Sequence, residues 1–262
     1  MVLAMVRTRK RFGQNFLIDE GVIDRIVSAV GLKDSDRVLE IGPGSGAITS
    51  RLHEIAEENY TAIEIDRDLV RLLGDRYPNV TILNQDVLQV NFDSLIGENE
   101  VRVIGNLPYN ITSPLLFRLM STNSRSKMQD FHFMVQKEVA ARLVASPGSK
   151  SWGRLGIMIQ TSFEVKSLFD VAPSAFRPQP KVWSSFIRMV PVENQLDDHK
   201  MKVLNGILRT AFSGRRKKVQ NSLGSFDIDW RNLALDPSKR ADQLTMEDYL
   251  QLTNSLTEKK ND

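Results

Sequence analysis

Val22, Ile23, Ile26, Val27 and Val30 recur at helical spacing behind Asp19, whose side chain suits a helix N-cap. Short apolar runs follow, set apart by helical patterns: RVLEIG, YTAIEID, VTILNQD, VRVIGN and FHFMVQ. Strands alternating with helices predict βαβ units and a parallel sheet. VKSLFDV and SSFIRMV come next, separated by APSAFRPQPKV. The three prolines of that link block regular structure. It is too irregular for a crossover helix, so the last two strands are predicted to be antiparallel neighbours.

The pattern changes over PVENQLDDHK, residues 191–200. Beyond it only helical patterns remain: HKMKVLNGILRTAF, RRKKVQNSLGSF and TMEDYLQLTNSL. Thr245 with Asp248 reads as a helix-start signal. The expected organisation is therefore an α/β domain over residues 1–193 and a small all-helical domain over residues 194–262. No internal repeat or low-complexity segment interrupts either.

Composition narrows the chemistry. The 262 residues are 41% hydrophobic and 26% charged, as in ordinary soluble domains. The chain has no cysteine, which excludes disulfides, thiolate catalysis and cysteine-ligated zinc or iron–sulfur centres. His53, His132 and His199 are scattered, so no metal is expected. No apolar run approaches the roughly 20 residues of a membrane span, and MVLAMV is too short for a signal-peptide core. A cytoplasmic protein without a membrane partner is the expectation.

The net charge is only +3, but it is unevenly spread. Residues 1–18 carry Arg7, Arg9, Lys10 and Arg11 without an acid. Residues 199–226 carry Lys200, Lys202, Arg209, Arg215, Arg216, Lys217 and Lys218, again without an acid. A modestly acidic body with two basic patches points to a polyanion partner. Basic termini are often merely solvated, so this weighs only beside other signals.

Three glycines in VLEIGPGSGAIT, Gly42, Gly44 and Gly46, separate a strand from a helix. Glycine lets backbone approach a ligand closely. The spacing is G-x-G-x-G rather than the G-x-G-x-x-G of a dinucleotide site, and the Lys-Ser/Thr of a P-loop is missing. The next strand ends in IEID, where Glu64 can accept from ribose hydroxyls. The third ends in NQD, where Asp86 can meet an adenine amino group. Each acid alone would more often be a surface or capping residue. Gly, Glu and Asp on three successive strand ends favour a nucleoside site. This order resembles S-adenosylmethionine-dependent methyltransferases, as do seven strands with a reversed last one. The resemblance implies a Rossmann-like seven-stranded methyltransferase domain using S-adenosylmethionine.

The fourth strand closes in Asn106-Leu107-Pro108-Tyr109. As bare residues these are ordinary turn formers. They are also similar to the Asn/Asp-Pro-Pro-Tyr/Phe turn of methyltransferases acting on exocyclic amino groups. The N6 lone pair of adenine is delocalised into the ring. Acceptors at the Asn106 side chain and the Leu107 carbonyl would favour a pyramidal, nucleophilic nitrogen. Pro108 stiffens the turn, and Tyr109 offers a ring face and cation–π stabilisation of roughly 0.5–2 kcal/mol. The base must be flipped or single-stranded.

KRFGQNFL, LEIGPGSGAIT, IEID, NLPYNI, FMVQKEVAARL and SAFRPQPKVWSS together resemble the ribosomal RNA adenine N6-dimethyltransferases, in order and over essentially the whole chain. The resemblance implies that Asn15, Leu17, Gly42, Gly44, Glu64, Asp86 and Asn106 touch the cofactor. It implies that Asn106, Leu107, Pro108 and Tyr109 form the catalytic turn and that Phe176 faces Tyr109 across the adenine. Without it, Phe176 reads as a core residue. LRTAFSGRRKKVQNSL and KRADQLTMEDYLQL resemble the bacterial small-subunit enzymes. They imply a helical RNA-binding domain, small-subunit RNA in a partly assembled 30S particle as substrate, and a monomer. Two adjacent adenosines in the 3′-terminal hairpin would each receive two methyl groups. Trp183 stands where the resemblance implies an acid. A large-subunit (macrolide-resistance) enzyme, an RNA-binding assembly or transcription factor and a DNA adenine methyltransferase remain as alternatives. A nicotinamide dehydrogenase is disfavoured by the glycine spacing.

Overall fold

The computed structural model describes residues 14–193 and 196–258. Arg7, Arg9, Lys10 and Arg11, and with them the start of KRFGQNFL, lie outside the described residues. The chain divides into two compact units. Described residues before Ala141, with Glu164–Pro191, form an α/β unit; Ala141–Phe163 and the residues beyond Pro191 form a helical unit.

The α/β unit opens with a two-residue strand, β1 (Phe16–Leu17), and helix α1 (Glu20–Val30). Asp19 caps α1 by accepting from the Val22 N–H, and Ile23, Ile26 and Val30 form its buried face. Then follow β2 (Val38–Ile41), α2 (Thr49–Ala56), β3 (Tyr60–Glu64), α3 (Arg67–Arg76), β4 (Thr81–Asn84), α4 (Phe92–Ile96), β5 (Val101–Asn106), α5 (Thr112–Met120), β6 (Met128–Gln136) and α6 (Lys137–Leu143). After α7 (Arg154–Gln160) come β7 (Phe163–Val171), the short β8 (Phe176–Arg177) and β9 (Ser184–Pro191).

The seven longer strands form one sheet in the order β4-β3-β2-β5-β6-β9-β7. Neighbours from β4 to β6 are parallel, and β9 runs antiparallel to β6. The last two long strands are neighbours, as the proline-rich link requires, with β9 inserted between β6 and β7. All four residues of β2 and the first five of β5 are buried, which accounts for their nearly unbroken apolar runs. From β2 the chain moves outward through β3 and β4, then returns to β5 on the other side. Strand order reverses between β2 and β5, where open α/β sheets bind ligands beyond the strand C-termini.

The helical unit contains α7, α8 (Asp198–Ser213), α9 (Val219–Ser222) and α10 (Met246–Glu258). Thr245 and Asp248 form the capping pair expected from their spacing: the Thr245 N–H donates to Asp248 Oδ2 and the Asp248 N–H to Thr245 Oγ1. Two features depart from the sequence expectations. Residues 141–163, expected in the α/β domain, fall within the helical unit. The Gly148 N–H donates to the Asp242 carbonyl at 2.7 Å, and Trp152 Nε1 to the Leu244 carbonyl at 2.9 Å. Most of RRKKVQNSLGSF is not helical. Lys218 bridges to Arg240, and the Val219 N–H donates to the Lys239 carbonyl, leaving only the four-residue α9. Pairing with a distant segment overrides local propensity there.

No described helix is long and apolar enough to cross a membrane. Among the described residues no cluster of three or more His, Cys, Asp or Glu side chains could hold a metal ion.

Candidate active site

Beyond β2 the chain turns through Gly42, Gly44 and Gly46, all with positive φ (68°, 60° and 86°). At Gly44 a side chain would be doubly opposed. Its φ is left-handed, and a Cβ would meet the Phe16 ring at 3.1 Å. The aromatic ring of β1 thus lies against the glycine-rich turn.

The Gly44 N–H donates to Glu64 Oε2 at 3.2 Å, and the Asp66 N–H donates to Oε1 at 2.9 Å. Glu64 is 5% exposed. Burial pushes its carboxyl up from the ordinary value, and the two backbone donors partly offset this. Asp86 has a double role. Its Oδ1 accepts from the Leu88 N–H at 2.9 Å, capping a 3-10 turn over Val87–Gln89, while the residue also lines the cavity described below.

Gly105 lets β5 approach β2, since a Cβ there would lie 2.5 Å from the Ile41 carbonyl oxygen. Next to it, Asn106 Nδ2 donates to the Asn15 carbonyl at 3.0 Å. That bond assigns the amide orientation and turns Oδ1 the other way. The Leu107 N–H donates to the Met134 carbonyl, and the Pro108 carbonyl accepts from the Ile111 N–H and Thr112 Oγ1. The turn is therefore anchored to β6 at one end and to α5 at the other. Tyr109 is half-buried, and its hydroxyl lies 2.8 Å from Ser184 Oγ at the start of β9. Burial raises the phenol, so it is neutral in the physiological range.

One cavity of about 270 Å³ joins these parts. Asn15, Leu17, Gly42, Gly44, Glu64, Asp86, Asn106, Leu107, Pro108 and Tyr109 all line it. Phe176, expected opposite Tyr109, does not. It is 3% exposed, packs in the main core cluster and pairs with Leu17 across β1 and β8. An aromatic side chain on an inward strand position is better satisfied by core burial, the plain reading of its sequence position.

Phe16, Ile65 and Glu40 also line the cavity, and the sequence alone did not mark them. Phe16 covers Gly44. Ile65 is a 42% exposed apolar side chain directly after Glu64. Glu40 is 1% exposed, and Thr49 Oγ1 and the Tyr60 hydroxyl both donate to its Oε2. Burial pushes its carboxyl up to about 7. An acid inside the buried run VLEI was the available signal.

The family model described as ribosomal RNA adenine dimethylase matches residues 5–258. The chain belongs to this family. Such a dimethylase has the Rossmann-like methyltransferase fold seen here, and the chain is a ribosomal RNA adenine dimethyltransferase. It is 42% identical to ribosomal RNA small subunit methyltransferase A of Marinobacter nauticus, with 96% of this chain and 92% of that protein covered. It is 44% identical to the protein of the same name from Pseudomonas savastanoi pv. phaseolicola, covering 97% and 96%. Among solved structures, a dimethyladenosine transferase from Plasmodium falciparum superposes with a TM-score of 0.78 at 26% identity, covering 94% of this chain and 98% of that one. The 23S rRNA methyltransferase ErmE superposes with a TM-score of 0.71 at 25% identity, covering 93% and 100%.

Proposed function

We propose that the protein uses S-adenosylmethionine to dimethylate N6 of two adjacent adenosines in the 3′-terminal hairpin of small-subunit ribosomal RNA. The observation that carries this reading is the single cavity onto which both the Gly44–Glu64–Asp86 end and the Asn106–Tyr109 turn open. Relatives at 42–44% identity over nearly their whole length are named for the small subunit, which favours it over large-subunit RNA.

The lining suits the donor. Glu64 sits where ribose hydroxyls can donate to it, Asp86 can accept from the adenine amino group, and exposed Ile65 offers an apolar face to the ring. Asn15, Leu17 and the glycine turn would complete its seat. When bound, the donor supplies an electrophilic methyl group on a sulfonium.

The chain's own contribution is to bind and orient the target base. Asn106 Oδ1 and the Leu107 carbonyl accept the two N6 hydrogens, so that the lone pair leaves ring conjugation. The Tyr109 ring stacks on the adenine. With the donor bound, the freed lone pair would face its methyl group, and the proton displaced from the nitrogen would depart to water. The product amine retains one hydrogen and one acceptor contact, which permits the second transfer. The basic residues of the helical unit, Arg215 to Lys218, supply phosphate contacts. In a bacterium this work belongs to the cytoplasm, on a partly assembled 30S particle, and a monomer suffices for it.

Labelled S-adenosylmethionine and unmethylated small ribosomal subunits, followed by nucleoside analysis, test the proposal. Dimethyladenosine confined to the 3′-terminal hairpin is the expected product. Label in large-subunit RNA alone would overturn the choice of substrate.

A further inference from the structure

Seven large apolar side chains are strongly exposed among the described residues, and one of them is aromatic: Trp183, at 50%. Its neighbour Val182 is 43% exposed. Trp183 precedes Ser184, the residue whose Oγ lies 2.8 Å from the Tyr109 hydroxyl. Trp183 does not line the cavity, so it stands beside the target-base seat rather than within it.

The backbone that carries the ring is pinned. Lys137 donates its backbone N–H to the Trp183 carbonyl at 2.9 Å. The Lys137 amine lies 5.6 Å from the ring centroid and 2.6 Å from Asp170 Oδ2, and Asp170 Oδ1 accepts from Ser185 Oγ at 2.7 Å. Lys181, two residues before Trp183, is exposed. A large ring on pinned backbone, beside cations and next to a base-binding site, matches the surfaces that hold single-stranded nucleic acid by stacking.

We propose that Trp183 is a stacking platform for the nucleobase that flanks the target adenosine in the RNA. The proposal rests on the RNA-methylating reading of the cavity. A base extruded toward Tyr109 leaves its neighbour unstacked, and Trp183 replaces the lost stacking partner. Trp183 is a positioning residue that never touches the reacting nitrogen. It should act on RNA binding and leave the donor site alone.

The test compares wild type, Trp183→Ala and Trp183→Phe in methyl transfer to unmethylated small subunits. Donor affinity and thermal midpoint are measured alongside. The expected result for Trp183→Ala is a KM for subunits raised about tenfold, with kcat at saturation, donor affinity and midpoint unchanged. Trp183→Phe should stay within about threefold of wild type, because a flat ring remains. An unchanged KM in Trp183→Ala overturns the proposal. So does a loss of donor affinity or midpoint in that variant, which would mark a packing role.

If wild type transfers nothing to small subunits, the substrate assignment fails by itself. Binding of a short single-stranded oligoribonucleotide containing two adjacent adenosines then decides the platform. Weakening of about tenfold in Trp183→Ala, rescued by Trp183→Phe, sustains it, and equal binding by all three proteins overturns it.

Discussion

Asn106 is anchored through its own amide nitrogen, which donates to the Asn15 carbonyl at 3.0 Å. The side chain spans 91 residues of sequence to reach that acceptor and so arrives at the cavity with its orientation set. Asn106→Ala removes one of the two proposed N6 acceptors and should lower methyl transfer by about 10²-fold, by analogy with loss of one preorganised hydrogen-bonding group. Asn106→Asp keeps an acceptor but turns a carboxylate oxygen toward the Asn15 carbonyl, so it should not restore activity. Single-turnover transfer of labelled methyl groups checks both variants, and near-normal rates would remove Asn106 from the reaction.

Glu64 links the glycine turn to the proposed donor seat. Glu64→Ala deletes the acceptor of the Gly44 and Asp66 N–H groups as well as the proposed ribose contact. Hydrogen bonds to charged groups contribute about 1.5–3 kcal/mol, so donor affinity should fall at least tenfold. Titration calorimetry with S-adenosylmethionine measures this directly. Unaltered affinity would show that the donor's ribose lies elsewhere.

Glu40 predicts a pH effect with a definite sign. Burial raises its carboxyl from 4.5 to about 7. The folded state therefore holds this proton more tightly than the unfolded chain does. The associated stabilisation is fully present below about pH 4.5 and is lost as pH rises through 7. The loss is on the order of 3 kcal/mol. Glu40→Gln retains an oxygen for Thr49 and Tyr60 and cannot ionise. Its thermal midpoint should exceed that of wild type at pH 8, with the gap closing toward pH 5. A gap independent of pH would contradict the assignment.

The opposite end of β5 carries a buried ion network. Arg102 donates to both Asp130 carboxylate oxygens at 2.9 Å, to Asp36 at 3.0 Å and to the Val30 carbonyl at 2.8 Å. Arg188 Nε adds a bond to Asp130 at 3.1 Å. Burial alone would raise the Asp130 carboxyl, but His132 and Arg102 beside it hold it well below the usual range. Arg102→Leu leaves that charge undercompensated and should cost about 3–5 kcal/mol in urea unfolding. Because the carboxyl is depressed, its stabilisation is present above the ordinary carboxylate range near pH 4 and is lost as pH falls below it. The wild-type advantage over Arg102→Leu should therefore shrink in acid.

Much of the sheet was legible locally. Each of the seven long strands coincides with a run picked out in the sequence; the central β2 and β5 are buried on both faces and need little but apolar residues, whereas the edge strands β4 and β7 are largely exposed. The glycine turn, the strand-end acids and the Asn-Leu-Pro-Tyr turn were legible for a related reason: each is a short contiguous segment whose residue types state their conformational or chemical demand. Asp86 could not be fully read this way, since a capping aspartate and a cavity-lining aspartate look alike in sequence, and this one both caps the turn after it and lines the cavity.

What the sequence by itself determined was the seven long strands, the caps of α1 and α10 and the residues that crowd the strand ends, all properties of neighbouring positions. Only the tertiary structure decided which distant residues meet. It placed residues 141–163 with the helical unit, where a backbone bond from Gly148 and an indole bond from Trp152 reach partners no pattern announces. It drew Lys218–Gln220 out of a continuous helix to pair beside Pro237–Arg240, and it buried Phe176 in the core while leaving Ile65 and Trp183 exposed. Side-chain burial depends on packing among segments far apart in the chain, and local periodicity carries no record of those partners.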